Sequence, residues 1–284
     1  MRAALTLVVA TGLAPAGVAC TDDDGGSNSS SSADEQPADA EKVAGSRLPG
    51  PGAFMGPVFK VPVNGIEIGY RQFGDGDDLV LIMGDTGAMS LWLTSFPRKL
   101  AAHFRVTMFD NRGVGYTTDD TSVPLTVPLM ARDTAEFITA LELEKPAVLG
   151  WSMGGEIGLT MAVEHPDAMR ALVTTGGDFG SSRAVQPSME VFTELNAPST
   201  TPEDLLALIF PNNAPGQAAS GRFVDEYESI PQEMESEKTD RRQGKAETEF
   251  VSYRGTYERL PDVTIPVLVT NGAIDIVNPR RTPT

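Results

Sequence analysis

The 284-residue chain is poor in residues that exchange protons or electrons easily: it has one cysteine, Cys20, and two histidines, His103 and His165. A lone cysteine excludes an intrachain disulfide, and two histidines leave few side chains that titrate near neutral pH. Cations are scarce as well, with 22 Lys and Arg against 39 Asp and Glu for a formal net charge of −17. That balance excludes electrostatic binding of nucleic acid, which needs clustered Lys and Arg against the phosphates. It also disfavours docking on anionic lipid by charge alone. No run of about twenty apolar residues is available to span a bilayer as a mature helix. What is present is a hydrophobic content of 40%, enough to build the core of one large or two small domains.

Residues 1–19 run from Arg2 through an apolar stretch, Ala3 to Val9, to Ala16-Gly17-Val18-Ala19 ahead of Cys20. Charge, apolar run and small residues in that order outline a secretory signal peptide, and Gly12 and Pro15 interrupt it too soon for a stable membrane span. The segment resembles a bacterial lipoprotein signal, with Cys20 as the acylated residue and Gly17 where leucine is usual. That resemblance implies cleavage before Cys20 and an extracytoplasmic protein held to the bacterial cell membrane by its lipid anchor only. Simple secretion is the alternative. Residues 20–57 follow as an acidic, Ser-rich tether, with Asp22-Asp23-Asp24-Gly25-Gly26 at its head and nothing apolar enough to pack.

From residue 58 short β-rich runs alternate with helical stretches. Asn64-Gly65 is a two-residue hairpin signal, Leu79 to Met83 and Arg105 to Phe109 are strands, and Met130, Thr134, Phe137, Ile138 and Leu141 share one helix face. Ala147 to Leu149, a helix from Met153, and Ala171 to Val173 continue the rhythm to residue 180. Alternation of this kind predicts an α/β fold, a mostly parallel sheet with helices on both faces. Residues 181–260 break it as an inserted helical segment with fourteen acids against eight Lys and Arg, which reads as a solvated surface. Within it Thr201-Pro202-Glu203-Asp204 is a helix start. The core resumes in residues 261–284 with one strand, Ile265 to Thr270.

Directly after the Ala147 strand comes Gly150-Trp151-Ser152-Met153-Gly154. A G-x-S-x-G between strand and helix is a nucleophile elbow, a turn so tight that glycine is needed on either side of an exposed serine. With Met83-Gly84-Asp85-Thr86-Gly87, Phe109-Asp110-Asn111-Arg112-Gly113-Val114-Gly115, His165-Pro166 and Gly272-Ala273-Ile274-Asp275, the chain resembles the α/β-hydrolase family over roughly residues 58–279. The resemblance implies Ser152 as nucleophile, Asp275 as the acid that orients a histidine, and an oxyanion hole from the backbone N–H groups of Met153 and Asp85. Asp178 is the runner-up acid. It further implies a helical lid at 181–260, a small-molecule ester or amide substrate, and neither cofactor nor metal. Asp110 and Arg112 read as a scaffold pair that holds its loop, and Trp92 and Trp151 either line or back an acyl pocket or simply pack in the core.

The base is the difficulty. The family histidine follows an eighth strand beyond Asp275, and the sequence stops at Thr284. His165 ends the elbow helix, roughly 20 Å from Ser152 at about 1.5 Å per residue. His103 precedes a strand, at the end opposite the site and some 20 Å away. Two readings follow: a C-terminally truncated serine hydrolase, impaired and destabilised by an exposed apolar edge strand, or a noncatalytic lipid-anchored binding protein on the same fold.

Overall fold

The computed structural model describes residues 55–279, except 182–183, 198–199 and 232–236. The expected signal peptide, Cys20, the tether as far as residue 54 and the tail from residue 280 lie outside the described residues. Among those described, seven strands form one mixed sheet. Strands β1 (Phe59–Val63) and β2 (Ile66–Phe73) pair antiparallel across Asn64-Gly65. Both turn residues have positive φ, 46° and 79°, the left-handed pair that a two-residue hairpin requires. β2 then pairs antiparallel with β4 (Phe104–Phe109). Beside it β3 (Asp77–Ile82), β5 (Ala147–Trp151), β6 (Ala171–Thr175) and β7 (Val267–Thr270) run parallel, for an order of β1-β2-β4-β3-β5-β6-β7.

Side-chain alternation explains why both faces are covered. On β3, Val80 and Ile82 join Phe137, Met153 and Ile157 in one core, contributed by α2 (Val127–Ala140) and α3 (Met153–Glu164). Leu79 and Leu81 point the other way, into a second core with Trp92 and with Ala101 of α1 (Ser95–Ala101). Helix α2 starts where Thr126 accepts from the Leu129 N–H.

Between β6 and β7 lie α4 (Met189–Asn196), α5 (Pro202–Ile209), α6 (Ala214–Glu228) and α7 (Glu237–Glu249). Thr201 and Asp204 form a reciprocal capping box at α5. β7 is the sheet edge, with Leu268 57% and Val269 68% exposed. It starts at Val267 rather than Ile265.

One scaffold expectation is overturned. Asp110 and Arg112 do not pair: the Asp110 carboxylate accepts from the N–H groups of Met89 and Tyr116, at 2.7 and 2.8 Å. Arg112 reaches instead to Asp133 on α2, with Nε and Nη2 each 2.8 Å from a carboxylate oxygen. Two backbone donors already hold Asp110, so the guanidinium takes the acid whose planar geometry accepts it at both oxygens.

Candidate active site

Ser152 stands between β5 and α3 with φ 54° and ψ −126°, a conformation that L residues rarely adopt. The turn is held because its N–H donates to the Thr175 carbonyl at 2.9 Å and because α3 is pressed against β3. A Cβ on Gly154 would lie 2.1 Å from the Ile82 carbonyl oxygen, so only glycine permits that approach. Strain at such a position costs about 1–3 kcal/mol, with glycine's extra unfolded-state entropy as a partial offset. Ser152→Gly is therefore expected to raise the melting temperature by about 2–4 °C. A thermal scan showing a lower melting temperature would contradict the strain.

A cavity of about 790 Å³ opens at this turn and is lined by Ser152, Asp85, Thr86, Glu247 and Asp275 among others. The β3 loop touches the elbow closely: a Cβ on Gly84 would sit 3.0 Å from Ser152 Cβ, which brings the next residue, Asp85, beside the serine. In the same loop the Thr86 N–H donates to Gln243 Oε1 at 2.7 Å, and the Gly87 N–H to the Gly84 carbonyl. Met153 opens α3, so its N–H lies at the positive end of the helix dipole. The Asp275 carboxylate is held by its own loop, Oδ1 accepting from the N–H groups of Val277 and Asn278 at 3.0 and 2.7 Å.

Asp178 is placed differently, lining a neighbouring cavity of about 570 Å³ with Tyr257 and Asn271. Burial pushes its carboxyl above the usual range against the bond from the Gly180 N–H. Trp92 and Trp151 both line a third, apolar cavity of about 280 Å³, whose other walls include Leu205, Ile209 and Phe223. It shares Trp151, Ile209 and Phe210 with the cavity at Ser152.

The two histidines stand away from the site. His165 is the C-cap of α3, twelve residues of helix or about 18 Å from its start. His103 lies in the turn before β4, at the other end of the parallel strands from Ser152.

Two acids that sequence reasoning passed over are buried here. Glu156, four residues after Ser152 on α3, is 2% exposed, and Glu247 on α7 is 4% exposed. Burial, then Glu247, Asp178 and Asp85, push the Glu156 carboxyl well above the carboxylate range, and burial pushes Glu247 up to about 7. A signal for Glu156 was present, since it is the sole charged residue of α3 before Glu164. Glu247 had none, standing among the charges of a segment that reads as solvated.

With this geometry the chain can be compared with known proteins. The model of the alpha/beta hydrolase fold matches residues 79–283, and the chain belongs to that family. It is similar to a putative carbamate hydrolase, RutD, of Caulobacter, 34% identical over 111 residues, which are 39% of this chain and 41% of that one. Human serine hydrolase BPHL is 32% identical over 125 residues, 42% of each chain. The chain thus spans about two fifths of the length of these curated relatives. An alpha/beta hydrolase fold protein from Chitinophaga pinensis superposes with a TM-score of 0.65 at 24% identity, over 78% of this chain and 82% of that one.

Proposed function

We propose that the protein is a serine hydrolase that cleaves a small-molecule ester or amide through an acyl-Ser152 intermediate. The observation that carries this reading is the strained Ser152 at a strand-to-helix turn, opening on a cavity it shares with Asp85 and Asp275. Attack of Ser152 Oγ on the carbonyl carbon places negative charge on the carbonyl oxygen. The N–H of Met153, assisted by the α3 dipole, and that of Asp85 are the assigned donors to it. Asp275 is the assigned orienting acid. The apolar cavity behind Trp151 takes the acyl side chain, and the helices of residues 181–260 form the lid over it. Cys20 is assigned as the lipidation site of an extracytoplasmic protein.

Ser152 needs a base to become a nucleophile, and neither His103 nor His165 reaches it. We therefore propose that this 284-residue chain turns over slowly. The same observation favours a second reading, a noncatalytic lipid-anchored binding protein that uses the cavities alone.

Labelling with a fluorophosphonate probe separates the two. Weak labelling that disappears in Ser152→Ala supports the slow hydrolase. Labelling of wild type and variant alike refutes Ser152 as nucleophile, and none in either supports the binding protein. Rapid, Ser152-dependent labelling would refute the slowness.

A further inference from the structure

The cavity at Ser152 has three carboxyl side chains in its wall, Asp85, Glu247 and Asp275, and no Lys, Arg or His among its lining residues. Behind Glu247 stands Glu156, and the charges that act on it, Glu247, Asp178 and Asp85, are all acidic. The Asp178 N–H is a donor to Glu156, yet Glu156 Oε2 and Glu247 Oε2 are both buried with no hydrogen-bond partner among the described residues. Two arginines of the neighbouring described segments are committed elsewhere: Arg112 is taken at both carboxylate oxygens of Asp133, and Arg242 by Asp119. No group of three or more Asp, Glu, His or Cys among the described residues is spaced to hold a metal ion.

Buried acceptors without donors are costly to a fold unless something supplies the donor. In a cavity that opens to solvent, that something can arrive with the ligand. A protonated primary amine carries one positive charge and three N–H donors, which suits partnerless carboxylate oxygens spread over two helices better than the fixed geometry of a metal ion does.

We propose that the Glu247 end of this cavity, with Glu156 behind it, is an ammonium subsite, so that the ligand is an ester or amide bearing a protonated amine close to its acyl carbonyl. The proposal rests on the Ser152 reading for the word acyl, and on the cavity alone for the amine. The adjoining apolar cavity receives a hydrocarbon or aromatic side chain of the same molecule. The chain's net charge of −17 raises the local concentration of such a cation before it binds.

The test compares 2-phenylethylamine with 2-phenylethanol, which differ in the ammonium group, by calorimetric titration of the full chain at pH 8. The amine is expected to bind about tenfold more tightly or better, the scale of one charge-assisted hydrogen bond. Glu247→Gln is expected to bring the ratio close to one, and Glu156→Gln to lower it. Equal binding of amine and alcohol by wild type would overturn the proposal, as would a ratio that survives in Glu247→Gln while circular dichroism shows that variant folded. Protection of Ser152 from the fluorophosphonate by the amine would place the two sites together. Amine selectivity in a chain whose Ser152 does not label would leave the subsite standing and remove the hydrolase.

Discussion

Arg112→Ala is expected to destabilise the protein by about 3–5 kcal/mol, the usual result of leaving one member of a buried ion pair alone. The guanidinium is 1% and the Asp133 carboxylate 5% exposed. Both Asp133 oxygens accept from Arg112, and Oδ1 accepts also from Asn64 Nδ2 at 2.6 Å, while Arg112 Nη2 donates to the Asn64 carbonyl. One guanidinium thus joins the loop after β4, the β1–β2 turn and α2. Its removal leaves a desolvated carboxylate with one amide donor. The melting temperature is expected to drop by about 10 °C. The double change Arg112→Leu with Asp133→Leu is expected to recover most of the loss, because no charge is then stranded. Urea denaturation giving a loss below about 1 kcal/mol for Arg112→Ala would contradict the assignment.

The second large effect is a loss of stability as pH rises from about 5 to 8. Glu156, Asp178 and Glu247 have folded-state pKa values raised by burial first, so the native state holds protons that the unfolded chain has released. A group of that kind stabilises fully below its unfolded pKa and loses the contribution as pH rises through the folded value. Among the described residues, Glu156 on α3 and Asp178 after β6 act on Glu247, and Asp85 after β3 acts on Glu156. For Glu247 alone, raised from 4.5 to about 7, the linkage amounts to roughly 3 kcal/mol. The corresponding fall in melting temperature is about 5–10 °C. Glu247→Gln is expected to flatten the profile, and one as steep as wild type would show that Glu247 is not the source. Asp120 and Asp204, lowered by hydrogen bonds from Ser122 and Thr201, act in the opposite sense and only in acid.

Local features were well foretold. Continuous apolar runs such as Leu79 to Ile82 mark strands because their side chains alternate between two cores, and Asn64-Gly65 marks a hairpin because both residues tolerate positive φ. The G-x-S-x-G turn is readable because Gly154 is needed for backbone contact with Ile82. Partners distant in sequence were not foretold. Arg112 prefers Asp133, 21 residues away, to the neighbouring Asp110, since backbone N–H groups from two loops have claimed Asp110. Glu247 is buried although α7 is the least apolar helix in sequence, because Gln243, Ala246, Glu247 and Phe250 form a single inward stripe. A charge-rich helix says nothing about which of its charges face inward.

Gln243 has a wider meaning. Fully buried, it accepts from the Thr86 N–H through Oε1 and donates to the Arg112 carbonyl through Nε2. It is therefore a rivet between α7 and the two loops that follow β3 and β4. Swinging α7 outward would strand the Thr86 N–H next to Asp85 and release the loop that carries Arg112, at about 1–3 kcal/mol for each group left unsatisfied. At the other side of the cavity Ile209, at the end of α5, is 44% exposed, and the chain runs on through Phe210 to Asn213 along the cavity wall. Within the helical insertion, α7 is thus fastened to the core through Gln243, while α5 leaves Ile209 exposed beside the cavity.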